Sequence, residues 1–198
     1  KEEIKAITTT AKDYGMKVAA HAHGDEGMYR AVASGVKTIE HGTLMSKRTM
    51  ELMKEKQAYL VPTITAGKQV VEKAKIPGYY PAIIVPKALK VGPKIQATFK
   101  KAYDLGVPIA FGTDAGVFPH GLNAKEFGYM VEVGMPASEA LQSATVVNAA
   151  LLDNEDKLGQ IKAGFYADIV ASDANALDEI ATLENITFVM KNGVVYKQ

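Results

Sequence analysis

Apolar and polar positions alternate in two rhythms along the first 150 residues. The short apolar runs "MKVAAH" (16–21), "VKTIEH" (36–41), "AYLVPT" (58–63) and "VPIAFGTD" (107–114) have the length of buried strands. Between them, "DEGMYRAVASG" (25–35), closed by Gly35, and "SKRTMELMKEK" (46–56), with Ser46 as N-cap, read as helices. "KALKVGPKIQATFKKAYDLG" (87–106) reads as one long helix, and further helices are expected near 123–133 and 137–151. The polar, proline-marked stretch 66–86 reads as a long excursion with no element of its own. At the start, "KEEIKAITTTAKDYG" is helical: Ile4, Ile7 and Ala11 share a face and Gly15 stops it. A chain that opens without Met inside a helix is expected to be an internal piece of a longer protein.

Strands alternating with helices predict parallel strands joined by right-handed crossovers. Four such units make half of a (β/α)8 barrel or a small doubly wound sheet. The strand ends favour the barrel. Each closes on a residue able to bind or catalyse, His21, His41, Thr63 and Asp114, as on a barrel's active-site face. An open sheet would gather such groups at one switch point. From about residue 157 the pattern becomes all-strand, with turns at Ala163–Gly164 and Asn192–Gly193, the latter a hairpin signal. The expected organisation is therefore a half barrel over 1–155 and strands of a small β-appendage over 156–198.

Composition narrows the chemistry. A net charge of +1 suggests neither nucleic acid nor an anionic membrane as partner. No apolar run approaches the roughly 20 residues of a membrane span. With no cysteine, any metal must be held by His and carboxylate. The compartment stays open, the cytoplasm slightly favoured. Neither a G-x-S-x-G elbow nor a phosphate-binding P-loop occurs.

Two of the four histidines sit together in "VAAHAHG" (18–24). Residues i and i+2 of a strand face one way, so His21 and His23 both reach a barrel's central cavity. A single strand histidine is commonly a hydrogen-bonded structural residue, and Asp114 in "TDAG" is also turn chemistry. The combination with His41 at the next strand's end is what points to a metal, because unrelated core histidines need not fall at equivalent heights.

These motifs, "VAAHAHG", "GVKTIEHGTLM", "PIAFGTDAG", the "PHG" after it and "LGQIKAGFYADIVASD", resemble the C-terminal half of a metal-dependent amidohydrolase. The prolidase-like and Xaa-Arg carboxypeptidase-like branch is the most similar. The resemblance covers essentially the whole chain, in family order. It implies an α/β fold comprising strands five to eight of a TIM-type barrel. It also implies metal ligands at His21, His41 and Asp114, and one or two divalent ions, zinc the foremost. The family's first-strand His-x-His pair and carboxylated Lys fall outside this chain. The missing N-terminal half, a second copy or another chain would have to close the barrel, and a homo-oligomer is expected.

The implied reaction is hydrolysis of an amide bond in a dipeptide or N-acyl amino acid by a metal-activated hydroxide, with Asp114 as general base. His23 is assigned to the substrate side rather than to the metal, with His120, Tyr79 and Tyr80 as further substrate contacts. Two other readings stand beside it: a non-catalytic half-barrel fragment, and an imidazolonepropionase- or deaminase-type cyclic amidohydrolase. Deaminases of this superfamily carry a Glu three residues after the strand-five His. Here that position is Gly24, and Asp25 and Glu26 open the next helix, where the dipole favours negative charge.

Overall fold

Three of the four apolar runs pair as parallel strands in chain order in a computed structural model that describes residues 1–198. They are β1 (Ala19–Ala22), β2 (Thr38–His41) and β3 (Tyr59–Val61). The fourth run, 107–114, continues the sheet through a single parallel bridge between Leu60 and Ile109. Leu60 N–H donates to Pro108 C=O at 2.9 Å and Ala110 N–H to Leu60 C=O at 3.0 Å. Pro108 has no N–H of its own to extend the ladder, so the expected strand is mostly extended chain.

The helices lie outside this sheet. α1 (Glu2–Asp13) buries no residue. α2 (Asp25–Ala33) follows β1, and α3 (Lys47–Lys56) follows β2. Ser46 caps α3 as expected, its hydroxyl accepting from Thr49 N–H. Asp25 adds a tie across the two helices. Its Oδ1 accepts from Ser46 N–H and Thr49 Oγ1, each at 2.7 Å.

Residues 66–86 are not the bare excursion expected. α4 (Ile64–Ala74) runs through their first half, with Ile64, Thr65, Ala66 and Ala74 buried. Packing holds this helix, since Gly67 and the Val70–Val71 pair weaken its local propensity. The expected helix over 87–106 is two, α5 (Val85–Val91) and α6 (Lys94–Asp104), separated at Gly92–Pro93. Pro93 brings no N–H and glycine is a poor helix former. After α7 (Lys125–Glu132), the helix expected over 137–151 also divides, into α8 (Ala137–Ala144) and α9 (Val146–Leu151). The break falls at Thr145, whose hydroxyl donates back to Leu141 C=O at 2.8 Å.

The core lies between the sheet and its helices. Ile39 and Leu60 from the strands meet Met28, Met50, Met53, Phe99 and Met130, all buried, from α2, α3, α6 and α7. A partial (β/α) barrel results. β4 (Ile169–Ser172), β5 (Ile186–Lys191) and β6 (Val194–Lys197) form a separate antiparallel sheet. Asn192 and Gly193 both take positive φ, 49° and 79°, as a tight primed hairpin turn requires. No helix is long and apolar enough to cross a membrane.

The chain between barrel and appendage passes the α8–α9 break at Gly159. Its φ is 83°, and a Cβ there would stand 2.7 Å from Thr145 carbonyl oxygen. Gly159→Ala therefore combines a left-handed backbone with a backbone clash. It is expected to cost about 2 kcal/mol or more of stability, read by urea unfolding. A midpoint within experimental error of the parent would refute this account of the junction.

Candidate metal centre

The C-terminal ends of the strands carry the polar residues, and their backbone is unusual. His41, Thr63 and Asp114 end successive runs, and all three are non-glycine residues with positive φ, at 73°, 51° and 57°. Each such conformation costs on the order of 1–3 kcal/mol and persists only where its surroundings hold it.

Register shows what the turn at His41 does. β1 and β2 pair His21 with Glu40 and Ala22 with His41. The two histidines are thus offset by one residue, not at the equivalent heights the sequence suggested. In extended geometry His41 would share the face of Ala22, opposite to His21. The left-handed backbone turns it back. Gly42 N–H donates to Glu40 C=O at 3.0 Å, closing a γ-turn around His41. Gly42 has φ 64°, and a Cβ there would meet Leu60 Cδ1 at 2.6 Å. The glycine of "IEHG" is thus required by both conformation and space.

Three imidazoles converge as a result. One ligand nitrogen from each of His21, His23 and His41 lies within 4.8 Å of the others. His41 Nε2 and His21 Nδ1 share a hydrogen bond of 2.7 Å, and the His23 and His41 rings stack with centroids 4.9 Å apart. On two of the rings the outer nitrogen has a threonine. His41 Nδ1 bonds Thr63 Oγ1 at 2.6 Å, and His23 Nδ1 bonds Thr43 Oγ1 at 2.8 Å. The Thr43 carbonyl is held in turn by the buried Thr98 hydroxyl of α6, at 2.7 Å. When Nδ1–H donates to Thr63, the lone pair of His41 sits on Nε2, aimed into the cluster.

The electrostatics favour neutral rings. Burial, then the neighbouring His21 and His23, lower the His41 pKa to about 4, against the opposing pull of Asp114. Burial and His21 also lower that of His23, with Lys87 adding to the shift. Neutral imidazoles oriented by hydroxyl partners on the far nitrogen are the donor set a divalent transition metal takes. The residues present therefore fit such an ion.

Asp114 stands outside the imidazole cluster but lines the same cavity. That cavity, of about 270 Å³, is walled by His21, Glu40, His41, Val61, Thr63, Gly112, Thr113 and Asp114. The neighbouring Thr113 hydroxyl accepts from Asn123 Nδ2 at 3.0 Å. Glu40 is a second carboxylate in the cavity. It accepts from Thr38 Oγ1 at 2.5 Å, while burial and the charge of Asp114 push its pKa up. A larger hollow of about 570 Å³ opens toward the other end of the strands, walled by Val18, Val61, Ala110 and Phe111 among others. It carries no imidazole.

The remaining candidates lie elsewhere. His120 is exposed in the loop after Asp114, and it does not wall the cavity. Tyr79 and Tyr80 stack edge to face on each other at 4.9 Å, in the segment between α4 and α5, and they too are absent from its walls. Lys73 of α4 donates to Val117 C=O, tying that helix to the His120 loop. Sequence reasoning did not single out Thr43 or Thr98, because a threonine reads alike in any strand end or helix.

A family model described as the amidohydrolase family matches residues 1–197, and the chain belongs to that family. It is 56% identical to a Xaa-Pro dipeptidase solved with methionine in its active site, with a TM-score of 0.97 over 100% of this chain and 48% of that one. A prolidase solved with N-methylphosphonate-L-proline is 32% identical, with a TM-score of 0.90 over 99% of this chain and 48% of that one. Ochratoxinase of Aspergillus niger is 31% identical over 209 residues, 99% of this chain and 41% of its own. The chain thus spans less than half the length of these relatives.

The depressed pKa of His41 gives a titration test. In metal-free protein, NMR should show the His41 ring neutral down to a midpoint near pH 4. The linked stability is fully present above about pH 6.5, the unfolded value, and is lost as pH falls through about 4. A His41 midpoint at or above 6.5 would contradict the neutral cluster.

Proposed function

We propose that this chain supplies the catalytic second half, strands five to eight, of a metal-dependent amide hydrolase acting on a dipeptide or N-acyl amino acid. The observation that carries the reading is the convergence of the His21, His23 and His41 imidazoles, two of which, His21 and His41, line one cavity with Asp114. Supporting it, two of the similar structures are a Xaa-Pro dipeptidase and a prolidase. In this reading residues 1–155 are the half barrel and 156–198 belong to a β-appendage. The rest of the barrel would come from the missing N-terminal half, a second copy of this chain or another chain.

His21 and His41 would hold a divalent ion, with Asp114 completing the set on this chain. A bound divalent ion supplies an acidified water and polarises the scissile carbonyl. Asp114 accepts the proton of the attacking water and delivers it to the leaving amine. Of the two carboxylates in the cavity, Glu40 is the less free to take part, since burial favours its neutral form. Its burial and its bond from Thr38 tie it to the strand rather than to the reacting water. Thr63 and Thr43 keep the His41 and His23 rings in place. His23 faces substrate, and a substrate extending beyond the cavity would reach His120, Tyr79 and Tyr80 on the loops outside its walls. The position three residues beyond His21 is Gly24, which has no proton to give a ring nitrogen, so amide hydrolysis is favoured over deamination.

The full-length enzyme tests these roles. Asp114→Asn is expected to lower dipeptide turnover by about 10²–10⁴-fold. Thermal unfolding and bound metal should establish that its fold persists. His23→Asn should keep most of its metal by elemental analysis, whereas His21→Asn should lose it. The opposite pattern would exchange the two histidines' roles. Metal-free wild-type enzyme with full activity would defeat the reading.

A further inference from the structure

In the sequence Glu126 is one more acid at the start of a helix. In the structure it is wholly buried, and nothing in the proposed chemistry uses it. Its Oε1 accepts from Ile64 N–H at 2.7 Å. Its Oε2 accepts from Thr65 N–H and from Thr65 Oγ1, each at 2.7 Å. A carboxylate on α7 thus grips the first turn of α4.

The first N–H groups of a helix have no partner within it, and the N-cap side chain normally takes one. The N-cap of α4 is Thr63, a residue type suited to the task, yet it makes no capping bond. Its hydroxyl is committed to His41 Nδ1. Thr63 is also β-branched at φ 51°, a conformation such residues rarely adopt. The two peptides Glu126 holds are the ones that follow this strained residue.

We propose that Glu126 is a positioning residue for the metal centre: by capping α4 in place of Thr63, it fixes the Thr63 turn and leaves that hydroxyl free to orient His41. The chain of contacts runs from the Glu126 carboxylate to the Ile64 and Thr65 amides, through the Thr63 backbone to its Oγ1, and on to His41 Nδ1 and Nε2. Without Glu126, the Thr63 hydroxyl, on the N-cap residue itself, is the group whose position suits it to cap the exposed amides. It would then leave His41, whose ring would lose its tautomer preference and its aim. The inference rests on the reading of His41 as a ligand, but its structural half does not.

The test uses the full-length enzyme and Zn²⁺ alone. Glu126→Gln keeps the shape but offers an amide nitrogen where an N–H must be accepted. Its Zn²⁺ affinity, measured by chelator competition, is expected to fall 10–100-fold. In the metal-free variant, ¹⁵N NMR of the His41 imidazole should change from one dominant tautomer to a mixture. Met130→Ala, one turn along the same buried face of α7, is the comparison for lost packing. It should lower stability but leave both readouts at the wild-type value. The double variant Glu126→Gln with Thr63→Val should bind Zn²⁺ no worse than the weaker single variant, because both break one path.

An unchanged His41 tautomer in Glu126→Gln would overturn the proposal. So would equal affinity losses in Glu126→Gln and Met130→Ala, or multiplied losses in the double variant. If Glu126→Gln does not fold, Thr65→Val removes a single bond to Glu126 and should shift the same readouts in the same direction, by less. No shift there overturns the proposal. Wild-type enzyme that binds no Zn²⁺ would defeat the metal reading, while the tautomer spectrum would still decide the role of Glu126.

Discussion

The backbone turn at His41 is the constraint on which the site depends. A parallel ladder forces in-register neighbours onto one face, so the pairing of Ala22 with His41 would by itself send the two key imidazoles to opposite sides of the sheet. A φ of 73°, closed by the Gly42-to-Glu40 bond, cancels that consequence. The same solution recurs at Thr63 and Asp114. Three strained residues in one small sheet cannot be an economy of folding. Their cost, on the order of 1–3 kcal/mol each, is met by local contacts: Leu60 against Gly42, Glu126 beneath Thr63, and the Asn123 bond beside Asp114.

Electrostatics reinforces the geometry. Rings whose ligand nitrogens lie within 4.8 Å repel one another when charged, and burial penalises charge on His41 and His23 further. Both effects act in the direction a metal needs, since only a neutral imidazole has a lone pair to give. The threonine hydroxyls select which nitrogen carries it. The ring's aim, its lone pair and its neutrality therefore come from different sources: a γ-turn in the backbone, a hydroxyl, and burial beside other imidazoles.

Much of this was legible in the pattern of residues, and what was not has physical reasons. The alternation of runs placed β1, β2 and β3, the helices between them and the Asn192–Gly193 hairpin, because period and turn chemistry are local properties. The strand-end residues His21, His41 and Asp114 do border one cavity. The one-residue offset of His21 and His41 was hidden, since register belongs to pairs of strands. α4 was hidden because its stability is tertiary, and α5 and α6 merged because Gly92–Pro93 interrupts an otherwise continuous helical pattern. Glu126 left no trace at all. An acid in a first helical turn looks the same whether it faces solvent or reaches 62 residues back to Ile64 N–H.

That long reach bears on how the site is assembled. α4 follows β3 through Thr63, and α7 follows the loop that carries Asp114, so the Glu126 bonds join consecutive (β/α) units from beneath the face that carries the histidines. Lys73 of α4 joins them again from the side, through Val117. Asp25, reaching from α2 to the start of α3, ties the earlier pair of units in the same way. For Glu126 and Asp25, a carboxylate of one helix holds the start of another. Helix starts lie directly behind strand ends in this architecture. Fixing them against one another fixes the strand tips, and a carboxylate does so more firmly than apolar packing because its bonds specify direction as well as distance.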